Sequence, residues 1–473
     1  MSQSEQIATT DESITVNEQI TQGGDRRIHI LPDLGTNKYF VNPTNYKGLL
    51  NRGSCTCSAL NPETEALLTD LESADTAHLY KWIRSQLRSL LNFPGEDRFD
   101  IFLAPSGSDL TYYPLLFSQI LHPDQEILSL VSCPEELGSG TIKAASGKYF
   151  MNLNQFDEDI PYGDNLFPDG AVETLKFTAR GQDGEILEHK HPILQAITEI
   201  QDRAMIGYLV VGSKSGIEND IDIVREVDKD VMWVVDLCQF RNRKVFVNEL
   251  LDLGCTVMIT GSKFYQSPPF CGALLVPKAM SDKMSKVRDI DYSPYRRLFS
   301  QNDIPPRLAE LRSKFRPFQN KGLALRWCCA LHEMTAFDQI PYEESDELIS
   351  EWNQISSDAI SEADNLELMP DQQHTNSSII SFRAKHNGRY LQPEETQKLF
   401  ELIVRRKHSG FKKFDRVFIG QPVLYGDKSF IRVALGSYNV RRLILTGADW
   451  HNDYHLISLL SDHVPQAIAA SQV

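Results

Sequence analysis

The stretches Met232-Trp-Val-Val235-Asp236-Leu-Cys-Gln239 and Thr256-Val-Met-Ile-Thr260-Gly261-Ser262-Lys263 decide the reading of this chain. Each is a short run of β-branched and apolar residues that ends on a charged or polar group. An apolar run of this length bounded by turn residues is the pattern of a strand buried on both faces. Three further runs follow the same form: Phe99–Ala104, Ile127–Ser132 and 207–211. Helical patterns separate them, as over 109–121 and 221–227. Strands alternating with helices predict βαβ units and an α/β fold with a mostly parallel sheet. In such a sheet ligands sit beyond the carboxyl ends of the strands, so the residues just after each run are the first place to look for chemistry.

Outward from this region the chain divides. Residues 1–25 are polar and acidic, and are expected to form a disordered tail. An arm rich in Pro, Asn, Gly and Tyr follows, and then helical periodicity from Asn61 to Asn92 completes an N-terminal segment, 26–95. The sheet domain is expected over 96–291, an Arg- and Pro-rich connector over 292–330, and a smaller α+β domain over 331–473. The last has helical patterns at 342–360 and 394–405 and strand-like runs at 378–383 and 429–435.

The 473 residues carry 48 Lys and Arg against 64 Asp and Glu, a net charge of −16, which argues against a nucleic-acid partner. No apolar run reaches the roughly 20 residues that span a bilayer, so no membrane association is expected. The polar start lacks a secretory signal, and eight cysteines are too few for a disulfide scaffold. A cytoplasmic protein with reduced thiols is expected. His451 and His455 are four apart but lack a third ligand and the glutamate of a zinc motif, so no metal site is expected.

The strand ends carry a consistent chemistry. After Phe99–Ala104 comes Pro105-Ser106-Gly107-Ser108-Asp109, a small-residue turn opening a helix, which suits an anion or simply a capped helix start. After 207–211 comes Gly212-Ser213-Lys214-Ser215-Gly216. After Ile127–Ser132 comes Cys133-Pro134-Glu135-Glu136-Leu137-Gly138, which fails the spacing of a P-loop. An Asp and a Lys on successive strand ends beside an anion loop meet the needs of pyridoxal 5'-phosphate. That cofactor requires a lysine amine, a carboxylate for its pyridine nitrogen and donors for its phosphate.

The order of these motifs resembles the fold-type I pyridoxal-phosphate enzymes, the aspartate aminotransferase superfamily. Asp236-Leu-Cys-Gln239 is most similar to the class V branch, which includes the cysteine desulfurases. The resemblance covers roughly 95–280 well and the rest loosely. It implies Lys263 and Asp236 as catalytic residues, and Gly107, Ser108 and Ser262 around the phosphate. It further implies Gln239 and Ser213 near the ring's phenolic oxygen, and Asn320 where a neighbouring subunit reaches the phosphate. In that family the aspartate strand precedes the lysine strand, which selects Lys263 over Lys214 as the cofactor lysine. Gly272-Ala-Leu-Leu-Val276 is the returning strand expected after it.

Lys214 is then either a solvated loop charge or a substrate-binding cation. Arg432, in Phe430-Ile-Arg432-Val-Ala, resembles the arginine that takes the substrate's α-carboxylate, with a solvent-facing strand position as the alternative. Arg52 of the arm is expected to line the pocket. Glu135 is either a general base or a helix cap. No aromatic residue stands where the family usually stacks one on the ring.

The function implied is an enzyme acting on a small-molecule α-amino acid through an external aldimine and a Cα carbanion. Aminotransfer is the first reading; a lyase, a β/γ-replacement or a carbon–carbon bond-forming enzyme is the alternative, and a non-catalytic interaction protein on the same fold the third. Cys328 and Cys329 lie in an apolar helical pattern, which counts against desulfuration. A homodimer with shared active sites is implied by the same resemblance.

Overall fold

The computed structural model describes residues 15–91, 98–241, 244–285, 288–370 and 378–471. Seven strands form the larger sheet, in the spatial order Phe99–Ala104, Gly272–Pro277, Thr256–Thr260, Val231–Asp236, Ala204–Val210, Ile127–Ser132, Val172–Phe177. The strands are parallel to one another except Gly272–Pro277, which runs antiparallel to both its neighbours.

Side chains alternate between two apolar cores, one on each face of the sheet. Phe102, Val131, Tyr208, Val234 and Met258 pack on one side with the Tyr112–Leu121 helix. Ile101, Leu130, Leu209, Val235 and Ile259 pack on the other with the Thr76–Leu90 and Lys321–Phe337 helices. Burial on both faces is why the inner strands read as unbroken apolar runs. The fold is α/β with a mostly parallel sheet, as expected. Val172–Phe177 carries no such run because it is an edge strand with none of its residues fully buried.

The second sheet has the path Leu49–Arg52, Arg416–Tyr425, Lys428–Ala434, Ile379–His386, Arg389–Tyr390, with Leu366–Leu368 beside Ile379–His386. Its first strand comes from the N-terminal arm and pairs in parallel with Arg416–Tyr425. The helices Tyr342–Glu362, Pro393–Val404 and His451–Ser471 contribute Trp352, Leu399, Phe400 and Leu460 to its core. Between Gly420 and Val423 the pairing register shifts. A bulge of this kind turns a strand and redirects its side chains, and here it places Gln421 and Pro422 against the site described below.

Three expectations change. Residues 15–25 are ordered: a helix at Val16–Gln19 is followed by buried Ile20 and Asp25. Buried Arg326 holds this segment, with Nη1 donating to the carbonyls of Ile20 and Gln22 at 2.9 and 2.7 Å. Residues 1–14 of the expected tail lie outside the described residues. The periodicity over 61–92 is two helices, Pro62–Leu71 and Thr76–Leu90, because the Asp75 carboxylate caps a new start on the His78 amide. Lys321–Phe337 is one helix across the expected boundary at 330, and its Leu323, Trp327 and Leu331 pack on the larger sheet. No described helix is long and apolar enough to cross a membrane.

Candidate active site

A cavity of about 200 Å³ lies at the carboxyl ends of the parallel strands, where the second sheet approaches the first. Strand register brings three of its residues together. Val210, Asp236 and Met258 are paired across three adjacent strands, so Lys214, Asp236 and Lys263 emerge at one edge of the sheet. All three line the cavity, as do Gly107, Ser108, Ser262 and Arg432.

The turn after Phe99–Ala104 forms one wall. Ser106 caps the short helix Gly107–Leu110, its hydroxyl accepting from the Asp109 amide at 3.3 Å and donating to the Asp109 carboxylate at 2.5 Å. Burial first, then the nearby Asp25 carboxylate, pushes Asp109 up to about 7. A Cβ on Gly107 would meet Cys238 Sγ at 2.6 Å and Thr260 Cγ2 at 3.3 Å. Only glycine lets this turn press against the ends of the next two strands.

Asp236 is held by a local bond: its Oδ1 accepts from the Cys238 amide at 2.8 Å. Thr260 donates its hydroxyl to the Cys238 carbonyl at 2.6 Å, tying the two strand ends together. The Lys263 amine makes no hydrogen bond or ion pair among the described residues; its main-chain carbonyl accepts from the Gln266 amide at 3.1 Å. Its amine stands half-buried on the wall, near enough to Lys214 and Cys238 to influence the charge of both.

Arg432 is buried and meets only neutral acceptors. Its Nη2 donates to the Gln421 carbonyl at 2.9 Å and to Thr56 Oγ1 at 3.3 Å, and its Nη1 donates to the Lys214 carbonyl at 3.3 Å. The solvent-facing alternative therefore fails for Arg432. Lys214 Nζ donates to the Glu135 carbonyl at 3.0 Å. Burial, with Arg432 and Lys263 close by, lowers the Lys214 ammonium to about 8 against the opposing pull of Glu136 and Asp236. Lys214 is thus a cavity residue and not a solvated loop charge.

Five expected residues lie off the cavity wall. Gln239 is buried with its amide donating to the Cys55 carbonyl at 3.0 Å, toward the N-terminal arm. Ser213 donates its hydroxyl to Glu136 Oε2 at 2.9 Å, a carboxylate that also accepts from Ser215. Glu135 accepts from the Ala179 amide at 3.0 Å and meets Lys214 only through its main-chain carbonyl. Arg52 forms a buried two-bond pair with Asp453, Nε and Nη2 donating at 2.7 and 2.8 Å. Asn320 caps the Lys321–Phe337 helix on the Leu323 amide, and its Nδ2 donates to Gly23 O and Gln155 Oε1. Its side chain is satisfied within its own chain.

Other wall residues went unread in the sequence. Arg27 and Tyr39 come from the N-terminal arm, Phe270 from the loop after Lys263, and Thr141 from the helix after Ile127–Ser132. Arg27 pairs with Asp25 through two nitrogens and reaches Ser106 Oγ at 3.0 Å. Its guanidinium lies 5.0 and 4.8 Å from the Phe150 and Phe270 ring centres. Such a residue leaves no spacing signal, since an irregular arm brings it from more than 70 residues away in the chain. Cys133-Pro134-Glu135-Glu136, where a stacking aromatic was sought, lies off the wall; Gly138, Ser139 and Thr141 line it, and Tyr39 and Phe270 are its aromatic residues.

No protein-family model matches the chain, and no curated protein matches it. Solved structures do match. The cysteine desulfurase CsdA from Escherichia coli is 13% identical, with 89% of this chain and 94% of that one covered and a TM-score of 0.55. The ureidoglycine-glyoxylate aminotransferase of Bacillus subtilis is 12% identical over 91% and 98%, with a TM-score of 0.54. The 4-hydroxyphenylacetaldehyde synthase of Rhodiola rosea is 14% identical over 92% and 85%, with a TM-score of 0.53. At these identities the likeness is one of fold, and it extends over both sheets. The chain has the fold of the fold-type I pyridoxal-phosphate enzymes, as its strand-end motifs implied.

Proposed function

We propose that this protein is a pyridoxal 5'-phosphate enzyme that acts on an α-amino acid, with aminotransfer as the reaction. One observation carries the reading. Lys263 presents an amine with no partner among the described residues into the cavity that Asp236 and the Gly107 turn also line. The donor set suits the cofactor. The Gly107 turn leaves no room for a Cβ against Cys238 and Thr260, and Ser108 and Ser262 stand with it on the cavity wall, where they would take a phosphate.

The cofactor, when bound, supplies an electron sink for the pair left at the substrate's α-carbon. Lys263 Nζ would hold the cofactor through its aldehyde and would move the proton at the substrate's α-carbon. Asp236, fixed by the Cys238 amide, would keep the cofactor's pyridine nitrogen protonated. Arg432 holds the α-carboxylate: its planar guanidinium carries no opposing carboxylate among the described residues. Tyr39 and Phe270 supply the aromatic surface of the cavity wall.

The test is formation of a 2-oxo acid from an added amino acid, paired with amination of a second 2-oxo acid. Product ammonia without that pairing would replace aminotransfer with a lyase. The lyase reading is favoured by the small Gly138–Thr141 wall, which carries no stacking aromatic. Desulfuration finds no support: all eight cysteines are free and buried, and burial raises the Cys328 thiol to about 12. A cytoplasmic homodimer accompanies the proposal, its subunit contact made by groups other than the Asn320 side chain.

A further inference from the structure

We propose that the protein binds an amphipathic anion, an aromatic body bearing one acid group, in a second cavity between the N-terminal arm and the helix Ser437–Thr446. This site is separate from the cofactor cavity and does not depend on the function proposed above.

The second cavity has a volume of about 440 Å³, more than twice that of the candidate active site. Its apolar surface comes from Tyr46, Leu60, Phe414, Tyr438 and Leu443, and three rings with two leucines favour an aromatic ligand. Part of the wall is held in shape by polar bonds. Gln266 Nε2 donates to Asn439 Oδ1 at 3.0 Å, and Gln266 Oε1 accepts from the Asn439 amide at 3.2 Å. Both residues line the cavity. Gln266 belongs to the loop that carries Lys263, yet among the described residues none lines both cavities. A ligand here would leave the cofactor cavity free.

The charges on this wall call for an acid. Five cations line it, and Asp449 is the one acidic residue among the described residues that does. Arg52 is matched by Asp453, and Lys412 by Asp449 at 2.8 Å. Lys47, Lys413 and Arg442 remain. All three are exposed, and their side chains make no hydrogen bond or ion pair among the described residues. In a chain of net charge −16, three unmatched cations around one cavity set up a local positive field that draws an anion. The rings then take the apolar body and the cations take the acid group, so a neutral compound of the same shape gains only the first contact.

The experiment titrates the full chain with anilinonaphthalene sulfonate and with phenylnaphthylamine, the same ring system without the sulfonate, followed by fluorescence. The sulfonate should bind saturably. In a variant combining Lys413→Glu with Arg442→Glu its affinity should fall by at least about tenfold, while phenylnaphthylamine stays within about threefold of its wild-type affinity. Arg442→Glu alone should give a smaller loss in the same direction, which keeps the test open should the double variant misfold. Sulfonate affinity unchanged in both variants, or lost in step with that of the neutral compound, would overturn the proposal. So would sedimentation showing that these substitutions split a dimer, since a second copy of the chain would then cover the cavity. Cofactor uptake enters none of these readings, so the site and the function proposed above fail separately.

Discussion

Arg432 Nη1 donates to the main-chain carbonyl of Lys214 at 3.3 Å, so a strand of the second sheet fastens a loop of the first at the mouth of the cavity. The contact places two cations side by side and makes the relation between the sheets part of the site. A shift of one sheet against the other would separate them.

The pH dependence of anion binding follows from this pair. Lys214 is lowered to about 8 by burial, then by Arg432 and Lys263, with Glu136 and Asp236 acting in the opposite sense. The ammonium form binds the anion. Affinity of the cavity for a carboxylate anion, probed with succinate, should hold below pH 8 and fall above it by up to about tenfold per pH unit, as the amine loses its proton. Calorimetric titrations from pH 6.5 to 9.5 check this, and Lys214→Met should remove the fall.

Asp236 and Lys263 separate by different readouts. Asp236→Asn removes the carboxylate that keeps the ring nitrogen protonated but leaves the lysine amine. Turnover should drop by at least about a hundredfold, while cofactor content after desalting stays near one per chain.

Arg52→Ala tests a structural role in place of the expected pocket role. The Arg52–Asp453 pair is buried, and Trp352 Nε1 also donates to the same Asp453 oxygen at 2.8 Å. Removing the arginine leaves a buried carboxylate without its cation, at a cost of about 3–5 kcal/mol. Urea unfolding should show that loss. The variant that remains folded at low temperature should bind pyridoxal phosphate as the wild type does.

The thiols offer a further check. All eight cysteines are free and buried. An aromatic disulfide reagent should label none of them rapidly in the native protein and all eight in denaturant. One fast-reacting native thiol would reopen the desulfurase reading.

Much of the site was legible because its residues follow directly on buried strands. The runs ending at Ala104, Asp236 and Thr260 are apolar on both faces, and their register sets Asp236 and Lys263 at one edge. Legibility ended where position depends on distant contacts. Arg416–Tyr425 is interrupted by Gly420-Gln-Pro422 at its register shift, so its pattern is broken where it meets the cavity. Arg27 reaches Ser106 along an arm held by Arg326, a contact that no periodicity records. Gln239, Arg52 and Asn320 share the reverse difficulty. Their residue types suit a binding site, but nearby carbonyls, Asp453 and a helix start engage them.

The absorbance spectrum of protein loaded with pyridoxal phosphate and desalted, wild type against Lys263→Ala, tests the central claim most directly. The wild type should retain a visible cofactor band, and the variant should lose it while remaining folded by circular dichroism. A band that survives the substitution would move the cofactor to Lys214, and no band in either protein would contradict the enzyme reading.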